Sequence, residues 1–240
     1  MNNDELEIYG DIQPVLDNGD RASSPRAYVS PAVIKRLPRY FRYLRELIRS
    51  GKMRISSGEL SKIMNVTASQ IRQDLNCFGG FGQQGYGYNV KYLYAKISEI
   101  LGVNCNFKAV IIGAGNLGRA LVRNPMFTKR GVSTVAMFDI DDSLIGNTVA
   151  GVAIHSMEEL ESFCSDNLID IAVLTMPKEC AQDVSERLVG VGVRGIWNFT
   201  GKELEMESDS LKIVNVHLGD SLMTLCYELN IMKEEESEDK

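Results

Sequence analysis

Residues 108–118 read KAVIIGAGNLG, a short apolar run ending in glycines spaced G-x-G-x-x-G. The glycine spacing alone is common, and it is the setting that constrains the fold. Phe107 to Ile112 has the composition of a buried strand, and Asn116 to about Asn124 that of a helix. Asp139 falls 21 residues after Gly118, at the end of a second strand-like run, STVAMFD. Strand, glycine turn, helix, strand and terminal acid is the order in which a dinucleotide is held. In that order Gly113 makes the tight turn, Gly115 lets the backbone approach a pyrophosphate, and Gly118 lets helix and strand pack closely. The loop Gly113, Ala114, Gly115, Asn116, Leu117, Gly118 then faces the phosphates at a helix N-terminus. Asp139 accepts ribose hydroxyls and repels a 2′-phosphate, so NADH and NAD+ are expected over their phosphorylated forms.

Beyond this unit the pattern keeps alternating. Strands are expected at 107–112, 133–139, 152–154, 169–175, 194–199 and 212–216, with helices at about 116–124, 157–164, 178–191 and 218–232. Such alternation predicts an α/β fold with a Rossmann-like, doubly wound parallel sheet over 103–217. The oxidised nicotinamide ring is cationic and the reduced ring neutral. Apolar Met176 and Pro177, after the strand at 169–175, would favour the neutral form. Thr175, Asn198 and Thr200 stand at strand ends as candidate contacts for the carboxamide, with duty in the turns as the equal alternative.

The charge is distributed in a second informative pattern. The chain carries a net −6, yet residues 27–102 hold twelve lysines and arginines against four acids. A basic segment inside an acidic protein points to a polyanionic partner for that segment. Ser30 and Pro31 start a helix that runs to about Ser50, with Val33, Ile34, Leu37, Tyr40, Phe41, Leu44, Leu47 and Ile48 as its buried stripe and Pro38 inside it, a site for a kink or division. Ser56 with Glu59, and Thr67 with Gln70, fit capping boxes for two short helices separated only by Asn65 and Val66. That is the spacing of a helix-turn-helix, and the following GGFGQQGYGYN has the look of a hairpin wing.

In the second of these helices Ile71, Leu75 and Phe78 face a core, which turns Ser69, Gln70, Arg72, Gln73 and Asn76 outward. These types suit a major groove: glutamine can pair with adenine, and arginine with guanine or phosphate. Lys35, Arg36, Arg39 and Arg54 are candidate phosphate contacts, with Ser57, Gln83, Gln84 and Tyr86 completing the DNA-facing set. A helical subdomain that binds another protein is the alternative. Asp74 is awkward beside DNA, unless it orients Arg72.

Other classes find little support. The apolar runs fall short of a membrane span, and the start, MNNDELEIYGD, is acidic rather than signal-like, so a cytoplasmic protein without a membrane partner is expected. Cys77, Cys105, Cys164, Cys180 and Cys226 show no metal-ligand spacing and read as reduced thiols. With only His155 and His217, no acid–base pair for hydride chemistry is evident. An NAD-dependent dehydrogenase is therefore the rival to a non-enzymatic binding protein, and a CoA- or nucleotide-binding regulator is a third reading. Residues 1–26 are expected to form a mobile acidic extension, and 218–240 a terminal helix with a charged tail, Leu218, Leu222, Leu225, Cys226, Leu229 and Met232 lining one side.

The order of parts and the strings KRLPRYFRYLREL, SSGELSKIMNVTASQIRQDLNCFGGFGQQGYGYNV, VIIGAGNLGRAL, FDID, IAVLTMP, GIWNFT and LGDSLMTLCYEL are similar to the Rex family, the bacterial redox-sensing transcriptional repressors. The resemblance covers roughly residues 30–230. It implies a winged helix on a palindromic operator, a homodimer with an exchanged terminal helix, and release from DNA when NADH is high. It also shows departures. Gln83 and Gln84 stand where the family's wing offers a basic pair, and Gln73 where arginine or lysine is usual. Of the family's arginine–tyrosine–aspartate link, Arg42 matches the first member, while Asn124 and His217 replace the other two.

Overall fold

Ser30 starts the first helix as expected: its hydroxyl accepts from the Val33 amide at 3.4 Å, and Pro31 takes the first turn, where no amide is needed. The computed structural model describes residues 29–78, 82–83, 87–206 and 208–238; the expected extension over 1–26, and Gln84 and Tyr86, lie outside them. The chain divides into two units between Asn104 and Cys105.

In the first unit, helix α1 (Pro31–Arg49) runs unbroken through Pro38. Residues 34 and 38 both lie on its exposed side, where water can satisfy the carbonyl left without a donor. Val33, Leu37, Tyr40, Phe41 and Leu44 are buried, whereas Ile34, expected among them, is 42% exposed at the edge of the stripe. Strand β1 (Arg54–Ile55) leads into α2 (Ser57–Met64), and α3 (Ala68–Asn76) follows a turn in which Asn65 takes the left-handed conformation. Strands β2 (Gly82–Gln83) and β3 (Gly87–Asn89) form the antiparallel wing, and β1 pairs with β3 to complete a three-stranded sheet. Helix α4 (Val90–Ile100) closes a core built from Leu37, Leu44, Ile55, Leu60, Ile71, Leu75, Leu93 and Ile97.

The second unit is the alternating one. Its elements are β4 (Phe107–Ile112), α5 (Asn116–Arg123), β5 (Val132–Asp139), β6 (Thr148–Val149), β7 (Val152–Ser156), α6 (Leu160–Asn167), β8 (Ile171–Leu174), α7 (Ala181–Gly190), β9 (Gly195–Asn198), β10 (Lys212–Asn215) and α8 (Leu218–Glu238). The sheet order is β10-β9-β8-β4-β5-β7-β6, parallel except where β6 pairs antiparallel with β7. The chain therefore winds outward in both directions from β4 and β8, and the crevice at their C-terminal ends is the place where such sheets bind ligands. The β6–β7 hairpin was not anticipated, since two residues are too few to show a period. Apolar side chains fill both faces of the sheet, Val110, Ile112, Phe138 and Leu174 on one and Ile111, Met137 and Val173 on the other.

Helix α8 differs from every other helix among the described residues. All its side chains described for residues 218–235 are exposed, including Leu218, Leu222, Met223, Leu225, Tyr227, Leu229, Ile231 and Met232. Among the described residues, no helix is long and apolar enough to cross a membrane.

Candidate nucleotide site and nucleic-acid interface

The glycine loop sits between β4 and α5 at the switch point of the sheet. Gly113 has φ +99°, which disfavours any side chain, and an added Cβ would lie 2.9 Å from the Thr175 carbonyl oxygen. A Cβ on Gly118 would collide with the Gly113 carbonyl and approach Thr175 Oγ1 to 2.9 Å and Ile111 Cγ2 to 3.2 Å. Gly115 is different: a Cβ there would meet nothing within 4 Å. The first two glycines named serve packing, and the third fronts open space. Gly115 is also the N-cap of α5 and supplies no side-chain cap, so the first amides of that helix, Asn116 and Leu117 among them, are left for a ligand.

Asp139 anchors the loop from the next strand. Its Oδ2 accepts from the Ala114 amide at 2.6 Å, and its Oδ1 accepts from the Ile140 and Asp141 amides at 2.8 and 3.0 Å. The carboxylate is thus held at the tip of β5 beside the loop, half-buried, where ribose hydroxyls can reach it. These residues fit a dinucleotide: an open backbone approach, uncapped helix amides and an acid placed at the adjoining strand end.

The structure redistributes the other candidates. Thr175 Oγ1 lies 3.0 and 2.8 Å from the Ile112 and Gly113 carbonyls, to which it donates, so it clamps the glycine turn. Asn198 is 1% exposed, and its amide is fully used: Nδ2 donates to the Lys202 carbonyl and Asn215 Oδ1, while Oδ1 accepts from the Thr200 amide and hydroxyl. Thr200 is committed to the same turn. For Thr175, Asn198 and Thr200 the bonds present are those of turn duty, the alternative left open by the sequence. Met176 is half-buried and Pro177 exposed after β8, on the same edge as the loop.

In the first unit, Ser69, Arg72, Gln73 and Asn76 are all exposed and fall on one stripe of α3. Arg72 Nη1 donates to Ser57 Oγ at 3.2 Å, which joins the starts of α2 and the middle of α3. Lys35 and Arg54 are exposed; Gln83 lies on β2, and its side chain is not among those described.

Asp74 overturns the expectation of an awkward surface acid. It is 0% exposed, and Arg36 forks onto it through Nε and Nη2, both at 2.7 Å. The Tyr40 hydroxyl donates to it at 3.0 Å and Gln70 Nε2 at 2.8 Å. Burial pushes its carboxyl up, but the bonds from Arg36, Gln70 and Tyr40 outweigh burial and hold it below the usual carboxylate range. The Arg36 guanidinium is raised chiefly by its bond to Asp74, and burial with the bond to Asp74 raises the Tyr40 phenol. Arg36 is therefore bound within the fold, and Arg39 donates to the Met64 carbonyl at 2.6 Å, capping α2. The second capping box is only half formed for the same reason: Thr67 accepts from the Gln70 amide, while the Gln70 side chain turns to Asp74. The signal was available, because 71, 74, 75 and 78 share one helical face. The first box is complete, and Lys52, then Ser56, bring Glu59 down to about 2.

Among the described residues no group of three or more His, Cys, Asp or Glu is placed to hold a metal. Cys164 is buried, which pushes its thiol up to about 11, and the other four cysteines are exposed and free.

Two family models match the chain, one for the N-terminus of DNA-binding proteins over residues 28–76 and one for CoA binding domains over 104–201. A redox-sensing transcriptional repressor Rex from Caldicellulosiruptor saccharolyticus is 49% identical over 214 residues, which are 88% of this chain and 97% of that protein. The chain belongs to the Rex family. Crystal structures of RSP, a Rex-family repressor, superpose on it closely. RSP in complex with β-NAD+ and operator DNA matches with TM-score 0.81 and 48% identity over 88% of this chain and 97% of RSP. RSP in complex with β-NADH matches with TM-score 0.80 and 46% identity over 87% and 98%. Rex relatives are repressors, so the dehydrogenase reading falls. Asn124 and His217, the two departures from the expected link, make local contacts here. Asn124 Oδ1 accepts from the Met126 amide at 3.0 Å, and His217 Nε2 stands 3.3 Å from Glu203 Oε1. The Arg42 guanidinium lies over the Tyr43 ring at 5.2 Å.

Proposed function

We propose that this Rex-family chain is a cytoplasmic, homodimeric repressor that binds a palindromic operator and lets go when NADH fills its second unit. The observation that carries the reading is the pairing of parts in one chain: a helix-turn-helix with a wing, and a dinucleotide loop whose Gly115 fronts open space. RSP, alike over nearly its whole length, has been crystallised with β-NADH and with β-NAD+ plus operator DNA.

In this reading Ser69, Arg72, Gln73 and Asn76 meet base edges, with Lys35, Arg54 and Ser57 on phosphates. The uncapped amides at the start of α5, those of Asn116 and Leu117 among them, receive the pyrophosphate beside Gly115, and Asp139 the adenosine ribose, with rejection of a 2′-phosphate. Met176 and Pro177 lie toward the nicotinamide, where an apolar wall disfavours the cationic ring. Bound NADH supplies no reaction here; it acts through differential affinity for two arrangements of the repressor.

The dimer rests on α8. Helices in proteins draw most of their stability from packing an apolar face, yet α8 exposes eight large apolar side chains. Leu218, Leu222, Leu225, Leu229 and Met232 follow the alternating four-and-three spacing of a helical seam. A second copy of the chain covering that seam, by exchange of α8, accounts for both facts.

The test is a gel-shift titration on an operator duplex with NADH, NAD+ or CoA, run beside a fluorescence titration of the same ligands. NADH is expected to bind and to dissociate the complex, with CoA inert. NADH that saturates the protein while the complex stays intact, or CoA that releases it in NADH's place, would refute the proposal.

A further inference from the structure

The buried acid of the recognition helix has a use that stability does not explain. Replacing a buried ion pair by well-packed apolar residues is often neutral or favourable, so stability alone gives little reason for the pair, and its geometry is what is left to explain. A leucine at 74 would continue the stripe of Ile71, Leu75 and Phe78. Instead the Asp74 carboxylate takes four donors on two oxygens. Arg36 Nε and Tyr40 Oη go to Oδ2, and Arg36 Nη2 and Gln70 Nε2 to Oδ1. Three of these bonds come from α1, so they pin the rotation of α3 against it.

The fourth bond has a chemical consequence. An ionised carboxylate only accepts, so the Gln70 amide must turn its nitrogen inward to Asp74. Its carbonyl oxygen is thereby directed away from the acid. Gln70 is the third residue of α3, within the turn from which such helices contact base edges. An acceptor fixed there suits a base that offers an exocyclic amine in the major groove, adenine or cytosine, and opposes the carbonyls of guanine and thymine.

We propose that Asp74 is a positioning residue for sequence readout: it orients Gln70 as a fixed acceptor that selects adenine or cytosine at one base of each half-site. The inference rests on the operator-binding reading above. Arg36 takes part as the fork that holds Asp74, not as a phosphate contact.

The test is selection of bound duplexes from a randomised library by the full-length protein, by Gln70→Met and by Asp74→Asn, with a melting curve for each. The unaltered protein is expected to enrich a palindrome in which one column per half-site holds adenine or cytosine at least tenfold over guanine and thymine. Gln70→Met should flatten that column alone. Asp74→Asn should flatten the same column while affinity for random duplex and for NADH stays within twofold. The proposal is overturned if Gln70→Met leaves every column as it was, or if Asp74→Asn weakens enriched and random duplexes alike. Gln70→Met keeps the Arg36 fork, so an unchanged column in that variant overturns the inference even where Asp74→Asn melts early. A protein that enriches nothing sinks the operator reading itself, whereas an enriched palindrome untouched by Gln70→Met sinks only this inference.

Discussion

Substituting alanine at two glycines of one loop should separate packing from ligand contact. At Gly118 the new methyl would strike the Gly113 carbonyl and crowd Thr175 Oγ1 at 2.9 Å and Ile111 Cγ2 at 3.2 Å. Thr175 cannot withdraw cheaply, since its hydroxyl clamps the Ile112 and Gly113 carbonyls. Overpacking of this kind costs about 1–3 kcal/mol. For a unit of this size each kcal/mol lowers Tm by roughly 2–4 °C, so a fall of about 2–12 °C is expected for Gly118→Ala. At Gly115 the methyl meets nothing within 4 Å, and φ −70° suits alanine. A small loss at the N-cap is offset by reduced freedom of the unfolded chain, about 0.4–1 kcal/mol, so Tm should barely move. The same methyl occupies the space where the pyrophosphate would sit, and NADH affinity should fall at least tenfold, about 1.4 kcal/mol. Thermal melting by circular dichroism and NADH fluorescence titration read the two effects independently. The reasoning fails if Gly115→Ala binds NADH as the unaltered protein does, or if Gly118→Ala melts no earlier than Gly115→Ala.

Asp139→Ala removes a charged acceptor from the ribose, a loss of about 1.5–3 kcal/mol; NADH titration should show weakening of tenfold or more and a narrower gap to NADPH, and continued exclusion of NADPH would show that another group rejects it. Asp74 titrates lower in the folded chain than in the unfolded one, so its contribution is complete above about pH 4 and is lost as pH falls through the folded value. Melting of the first unit followed from pH 6 to pH 2 should therefore be flatter in Asp74→Asn, and parallel curves would show that the carboxylate is not the group being titrated. Leu222→Glu with Leu225→Glu should yield monomers in analytical ultracentrifugation with NADH binding retained; a persistent dimer would place the interface elsewhere.

The parts legible in the sequence are those whose signals are local. The glycine loop depends on residues adjacent in the chain: Gly113 and Gly118 pack as their spacing implied, and Asp139 stands at the strand end beside the loop. The helix-turn-helix was legible through its caps, Ser56 and Thr67, each of which bonds its own first turn, as Ser30 does for the helix before it. For Asn198 and Thr200 the sequence left ligand contact and turn duty level: the bonds among Asn198, Thr200 and Lys202 are local, but the one that fixes Asn198 to Asn215 depends on β9 lying beside β10 in a register that sets the two opposite. No local pattern carries a parallel register. Asp74 was misread for another reason. Judged by residue type it is a surface acid; judged by position it belongs to the buried face, and position prevailed because α1 supplied three donors to satisfy it.

The exposed terminal helix bears on how a modest ligand preference becomes a switch. Suppose NADH favours the released arrangement tenfold at each site, about 1.4 kcal/mol. A single site then turns a complex with odds of about nine to one into one that is roughly half bound. Two sites joined in one dimer shift the odds about a hundredfold and leave roughly a tenth bound. The DNA side would gain similarly, since two basic units paired in such a dimer would add their phosphate contacts and steepen the dependence on salt. The seam along Leu218, Leu222, Leu225, Leu229 and Met232 would therefore do more than stabilise α8. By forcing two nucleotide loops to act on one operator, it would let a tenfold difference between reduced and oxidised rings decide whether the duplex is held.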